Sequence, residues 1–328
     1  MIRVLIGFVL SLLLAAALMP FVIRLADRLK AKQPILHYVK SHSVKSGTPT
    51  MGGMGIIAAA ALPFAVLLRG ESSAAIVCLI VTAGYGIVGF TDDFIKVHFR
   101  HNEGLSARWK LALQFVIACL ISAYAFFGTS AGGRIYIPFV NTAVDLSYFA
   151  LAYYVFVFLA FTNSVNLTDG LDGLAGSVTA VFLTVFALLM LIVCAFEPTD
   201  GQVNELLLMS CFCGALCGFL CFNRYPARIF MGDTGSLALG GLLASLSVLT
   251  GLSLSAAIIG IMYVASSVSV IVQVAWFKLT GKRVFLMAPL HHHFEQKGVH
   301  ENHIVAGYTA ATAVAGASVI LLSVIFTV

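Results

Sequence analysis

The sequence predicts an all-α polytopic membrane protein of about ten transmembrane helices, and three observations carry that reading. Hydrophobic residues make up 60% of the 328 and charged residues only 10%, against about 25% charged in an ordinary soluble domain. Apolar runs long enough to cross about 30 Å of hydrocarbon, at about 1.5 Å per residue, recur along the whole chain. The basic residues between these runs alternate sharply in number from one side to the other, as they do in membrane proteins.

The runs cover residues 4–23, 52–68, 74–91, 110–127, 147–163, 174–196, 205–222, 236–251, 256–277 and 305–327. The first is apolar from Met1 to Pro20, like a signal peptide, but R-L-A-D-R-L-K-A-K follows it and resists export, so it reads as a retained helix. The second is short and Gly-rich with Pro63 inside it, which neighbouring helices tolerate in lipid. The third ends at two adjacent acids, Asp92 and Asp93. Between the fourth and fifth runs, the segment near 134–145 predicts a short outer β-hairpin, with Arg134 to Val140 as one strand. The eighth run is short, and the ninth reads as one continuous helix. All seven cysteines fall within the runs, three of them (Cys213, Cys217, Cys221) on one helical face, where small polarisable packing explains them. No internal repeat divides the chain, which reads as a single domain over residues 1–328.

Orientation follows from the excess of Lys and Arg on cytoplasmic loops. In the ten-span arrangement sixteen of the nineteen basic residues lie on one side, and only Arg3, Arg69 and Arg134 lie on the other. The first side is therefore expected to be cytoplasmic, with both termini extracytoplasmic. All nine histidines and nine of the fourteen acids share that inner side. This pattern accounts for the positive charge without a nucleic-acid partner. The outer loops carry no convincing catalytic set, so chemistry is expected in a cleft on the cytoplasmic face.

Four inner segments combine carboxylates, amides, glycines and imidazoles, and each adjoins the end of a run. In T-D-D-F-I-K, Asp92 and Asp93 diverge by about 100° if helical; one can meet a metal or substrate while the other meets a base such as Lys96, or both are simply solvated at a helix end. In N-S-V-N-L-T-D-G-L-D-G-L, Asn163 and Asn166 share a helical face, as do Asn166 and Asp169. Gly170 and Gly173 then let backbone approach a ligand, and amides and carboxylates so placed suit the hydroxyls and ring edges of a nucleotide or sugar. In R-I-F-M-G-D-T-G-S, Asp233 precedes the eighth run either as an N-cap or as a carboxylate that holds Mg²⁺ beside a phosphate-favouring helix start. In M-A-P-L-H-H-H-F-E, successive imidazoles point apart on a helix and do not match a zinc pattern; hydrogen bonds to an anionic substrate fit them better.

Taken in order, S-G-T-P-T-M-G-G, T-D-D-F-I-K, N-L-T-D-G-L-D-G-L-A-G, R-I-F-M-G-D-T-G-S and M-A-P-L-H-H-H-F-E resemble the phospho-N-acetylmuramoyl-pentapeptide translocase family, from about Lys45 to His303. The resemblance implies transfer of phospho-MurNAc-pentapeptide from UDP-MurNAc-pentapeptide to undecaprenyl phosphate, giving lipid I and UMP with Mg²⁺ in peptidoglycan synthesis. It also implies a multi-pass protein of the bacterial cytoplasmic membrane, in contact with membrane lipid, and it admits a homodimer. Asp92, Asp93 and Asp233 correspond to the family's essential acids, with Asp233 as the metal ligand, and His291, His292 and His293 to its histidine motif among the catalytic residues. Lys45 and Thr50 correspond to its entry loop, and Asn166, Asp169, Asp172 and Phe230 to nucleoside and sugar contacts. Asn223 and Ser236 would flank the metal position, and Lys96, Lys110 and Asn163 complete the expected substrate-binding set. The runner-up function is a related polyprenyl-phosphate sugar-1-phosphate transferase that uses another UDP-sugar, such as UDP-GlcNAc.

Direct attack of the lipid phosphate, with Asp92 or Asp93 as base, and a covalent phospho-aspartyl route both suit these residues. A transporter would need polar groups along the whole path, whereas here the acids gather at the inner ends of the spans.

Overall fold

The computed structural model describes residues 1–29, 47–99, 104–129, 132–138 and 142–327. In chain order these form α1 (Ile2–Arg28), α2 (Gly52–Leu67), α3 (Ser73–Phe99), α4 (Ala107–Phe127), β1 (Arg134–Ile137), β2 (Thr142–Asp145), α5 (Phe149–Thr168), α6 (Leu174–Val193), α7 (Asp200–Asn223), α8 (Gly232–Leu249), α9 (Ser253–Ile259), α10 (Ile261–Thr280), α11 (Leu290–Gln296) and α12 (Glu301–Thr327). Among the described residues nine helices are long and apolar enough to cross a membrane, and the 16-residue α2 is a shorter apolar helix beside them.

The core is built around α8, in which fifteen of eighteen residues are buried. Its sequence explains how: glycine, alanine and serine let neighbouring helices approach closely, as membrane bundles require. Its inward hydroxyls return to their own helix, Ser245 Oγ to the Gly241 carbonyl at 2.8 Å and Ser247 Oγ to the Ala244 carbonyl at 2.9 Å. Helices α3, α5 and α2 pack against it, while α1 and α7 form a second tightly paired layer. Leu5, Ile80, Leu120 and Ile271 face outward and are exposed, a surface for which lipid is the fitting solvent.

Buried amides and hydroxyls join the helices from inside. Asn163 Nδ2 donates to Gln114 Oε1 at 2.7 Å and to the Leu159 carbonyl at 2.8 Å, and the Tyr85 hydroxyl donates to the Gln114 carbonyl at 3.1 Å. Asn163 is thus an α4–α5 clamp, although its spacing from Asn166 suggested a shared ligand-binding face.

Two departures from the expected spans matter for function. The ninth run is not one helix: α9 stops at Ile259 and α10 starts at Ile261, with Gly260 between them at φ −79° and ψ 25°. Glycine has the weakest helix propensity apart from proline, and the Phe182 and Tyr263 rings close on the gap that its missing side chain leaves. Beyond this break α10 buries only Tyr263, Ser266 and Ser269. Two hydroxyl pairs tie it back, Tyr263 to Thr179 and Ser267 to Ser164, each at 2.6 Å.

The second departure is at α3, which continues through Asp92 and Asp93 to Phe99. The acids therefore lie inside the helix, where Lys96, one turn on, offsets Asp92 at 2.5 Å. β1 and β2 pair antiparallel with Arg134 opposite Asp145. The strand expected to reach Val140 ends at Ile137, before Pro138, which has no N–H to continue a ladder; Val140 lies outside the described residues.

Candidate active site

The centre is assembled where α3 crosses the first turn of α8. The α8 N-cap residue, Met231, has no side-chain acceptor, so the helix start is satisfied from elsewhere. Asp93 supplies the acceptors. Its Oδ1 accepts the Asp233 N–H at 3.2 Å, and its Oδ2 accepts the Thr234 N–H at 2.9 Å and the Thr234 hydroxyl at 2.6 Å. Asp93 thus caps α8 from a different helix, and its charge complements the positive end of the helix dipole. Asp233 is not the cap of its own helix, which leaves its carboxylate available for the centre.

The fit between the two helices depends on Gly89, because a Cβ at that position would collide with the Asp233 carbonyl. Any larger residue would push α3 off the turn that carries Asp233.

Around Asp233 the polar groups converge. Its Oδ2 meets Lys110 Nζ at 2.7 Å and Lys96 Nζ at 2.9 Å, and its Oδ1 accepts from Asn166 Nδ2 at 2.7 Å. The Asn166 amide also reaches Ser236 Oγ at 2.8 Å. Asp92 faces the same two lysines, with Lys110 Nζ 3.9 Å from its Oδ2, while its Oδ1 accepts the Leu105 N–H at 2.9 Å. Asp92, Asp93 and Asp233 each offer one oxygen within 4.8 Å of the others. Such an all-oxygen set suits a hard divalent cation. Within it Asp92 and Asp233 are the better donors, since both oxygens of Asp93 are occupied by α8. The two ammonium groups suit phosphate oxygens as well as the carboxylates.

The neighbouring loops are laced to this centre. Phe230 N–H donates to the Pro49 carbonyl at 2.8 Å, and the Phe230 and Met231 carbonyls accept from the Gly52 and Gly53 N–H groups, each at 2.9 Å. This pairing holds the buried Thr50 beside the start of α8. Lys45, expected in the same entry loop, lies outside the described residues. Asp169 follows α5 directly; burial, then the nearby carboxylates of Asp233, Asp93 and Asp172, push its carboxyl up to about 8.

Two other expected contacts tie the neighbouring loops together. Asn223 Oδ1 accepts the Gly173 N–H at 3.0 Å and its Nδ2 donates to the Ile229 carbonyl at 2.8 Å. Asp172 Oδ2 accepts the Ala227 N–H at 2.9 Å.

The histidines do not all point apart as expected: the His291 and His292 ring centroids lie 4.3 Å apart, both rings against Gly170, and His293 turns away toward Leu286 and Phe285. His291 is fully buried, so close beneath Gly170 that a Cβ on that glycine would strike its ring. His292 pairs with Glu295 at 2.9 Å through Nδ1 and turns Nε2 toward Gly170. His293 Nδ1 accepts the Leu286 N–H at 3.1 Å. Gln114 and Glu301 were not singled out from the sequence, although Gln114 stands visibly alone as an amide in an apolar run; Thr234, which the sequence offered as an alternative cap of the eighth run, instead donates its hydroxyl to Asp93.

Fold and centre together define a polytopic membrane protein with an acidic and basic cluster at the first turn of its most buried long helix. The sequence profile of glycosyl transferase family 4 matches residues 75–251. The phospho-N-acetylmuramoyl-pentapeptide-transferase of Clostridium novyi (strain NT) is 40% identical over 313 residues, covering 95% of this chain and 93% of that protein. The proteins of the same description from Thermoanaerobacter sp. (strain X514) and Clostridium perfringens (strain 13 / Type A) are 44% and 41% identical, covering 94% and 96% of those proteins. The chain belongs to glycosyl transferase family 4 and, within it, to the phospho-N-acetylmuramoyl-pentapeptide-transferase family.

The capping role of Asp93 has a measurable consequence. Asp93→Ala, which strips three acceptors from the α8 start, should lower stability by about 1–2 kcal/mol, whereas Asp93→Asn, which keeps one oxygen, should lose less. Thermal melts in detergent check this; equal melting of both variants and the parent protein would remove the cap.

Proposed function

We propose that this protein transfers phospho-MurNAc-pentapeptide from UDP-MurNAc-pentapeptide to undecaprenyl phosphate, releasing UMP and forming lipid I at the bacterial cytoplasmic membrane. The observation that carries the reading is the convergence of Asp92, Asp233, Lys96 and Lys110 in a chain so similar to transferases of that description. One substrate is soluble and the other is anchored by an isoprenoid, so the site must open to water and bilayer together. A cluster at the inner ends of spanning helices suits both.

The metal this reading implies is Mg²⁺, with Asp233 and Asp92 as the residues to hold it; it would supply neutralising charge to the pyrophosphate and to departing UMP. Lys96 and Lys110 then bind phosphate oxygens and offset the charge that develops on transfer. Asp92 orients the acceptor phosphate and takes any proton it carries. An oxygen of that phosphate forms the new bond to the sugar-linked phosphorus, and the bond from that phosphorus to the bridging oxygen breaks, the electron pair leaving with UMP. Direct displacement is favoured because Asp93 is committed to α8, which leaves Asp92 as the acid of the pair that faces the acceptor and gives it the role of base. Asn166 and Ser236 hold Asp233 in its orientation, and Asp169, Phe230, Thr50 and His292 surround the nucleotide and sugar.

In the membrane α2 completes a set of ten crossings, with the acids on the cytoplasmic side, both termini outside and the β1–β2 hairpin on the outer face. This arrangement rests on the asymmetry of basic residues. A single cysteine near Gly298, in a background without native cysteines, should react with an impermeant maleimide only after cells are opened; labelling of intact cells would reverse the topology.

The donor is tested directly. Purified protein with undecaprenyl phosphate and Mg²⁺ should release UMP from UDP-MurNAc-pentapeptide and not from UDP-GlcNAc, and the opposite preference would assign it to another sugar-phosphate branch. Asp233→Asn should lower turnover by about a thousandfold while the protein melts normally, because an isosteric amide keeps the packing but loses the charge. Near-normal turnover and Mg²⁺ dependence in that variant would exclude Asp233 as a ligand.

A further inference from the structure

The loop from Asp169 to Gly173 joins α5 to α6 and is held from three directions. Asn223 on α7 accepts its Gly173 N–H, and the Ala227 N–H of the α7–α8 connection donates to its Asp172 carboxylate. The third tie comes from the far end of the chain: Glu301 Oε1, in the first turn of α12, accepts the backbone N–H of Asp172. Glu301 is 8% exposed and Asp172 4%, so this bond is sheltered from water. Below the loop, Gly170 rests directly on His291.

We propose that Glu301 is a positioning residue for nucleotide binding: by accepting the Asp172 N–H it holds the Asp169–Gly173 loop in its binding conformation. The inference rests on the reading above that Asp169 and its loop meet the nucleotide. Three physical points support it. A sheltered backbone N–H that loses its acceptor costs more than an ordinary surface bond, and the loop can recover that cost only by moving. A carboxylate in the first turn of α12 is favoured there by the helix dipole, so the acceptor is held in a settled place. The metal and phosphate cluster, by contrast, stands on α3, α4 and α8, whereas Glu301 opens α12 and reaches the loop through the Asp172 N–H. Loss of the tie should therefore weaken the nucleotide selectively and leave the acceptor lipid alone.

The experiment compares Glu301→Ala, Glu301→Asp and Glu301→Gln in detergent-solubilised full-length protein. It uses UMP binding by calorimetry and steady-state kinetics with both substrates. Glutamine offers an amide oxygen at the same reach; aspartate keeps the charge at the α12 start but is one methylene too short. UMP Kd and the KM for UDP-MurNAc-pentapeptide should rise about tenfold in the Ala and Asp variants and stay within about twofold in Gln, as expected for loss of a hydrogen bond to a charged acceptor. The KM for undecaprenyl phosphate should not change. Glu301→Asp decides the matter if Glu301→Ala does not fold. Unchanged UMP affinity in the Asp variant, an equal rise in the KM for the lipid, or a Gln variant as weak as Asp would each overturn the proposal. Asp169→Asn separates the two readings. If it weakens UMP while the Glu301 variants do not, only the tie is wrong; if it too leaves UMP unaffected, the nucleotide reading of the loop falls, and the positioning role with it.

Discussion

The interaction on which the site depends is the capping of α8 by Asp93 of α3. An uncapped helix start buried in the bundle would leave N–H groups without a partner, and that is costly. By accepting from Asp233 N–H, Thr234 N–H and the Thr234 hydroxyl, Asp93 removes that cost and sets the height of α8 against α3. Gly89 then brings the α3 backbone against the carbonyl of Asp233. The position of the Asp233 carboxylate is thus a consequence of helix packing, and Asp92, one residue before the cap, is carried round to face it.

The charges that remain are mutually compensating. Asp92 and Asp233 share Lys96 and Lys110, and Asn166 supports Asp233 from α5. A buried cluster of this kind adds little to stability, since desolvation offsets much of the attraction. Its value is chemical: acids and ammonium groups held in a partly dry cleft act more strongly on phosphate charge than they would in water. The rest of the bundle keeps such groups few. Its polar contacts within the spans are mostly hydroxyls returning to their own helix, with isolated clamps such as Gln114–Asn163.

The loops beside the cluster are tied down by a different device. Each is short, and its backbone N–H groups donate to side chains from elsewhere in the fold: to Asn223 of α7, to Glu301 of α12 and, between the two loops, to Asp172. Amides and acids that look like ligand-binding groups in a linear motif are therefore divided between two tasks. Asn166 faces the acids, whereas Asn163, on the neighbouring turn, clamps α4.

Residue order by itself determined the class of the protein. Long uncharged runs can satisfy their backbone only as helices in lipid, so composition and length sufficed to foresee most spans. The inner segments with Asp92, Asp233, Asn166 and Lys96 were legible because ionisable groups so close to apolar runs are costly unless they serve a purpose. What only the tertiary structure decided was the division of labour among those groups. Asp92 and Asp93 are adjacent and chemically identical, and nothing local shows that one faces the lysines while the other caps α8. That distinction arises because consecutive helical side chains point about 100° apart, and which direction meets α8 is settled only when the helices pack. The same holds for Glu301, which meets Asp172 across 129 positions of sequence. Contacts at that separation leave no periodicity in the chain, because the geometry that creates them belongs to the bundle.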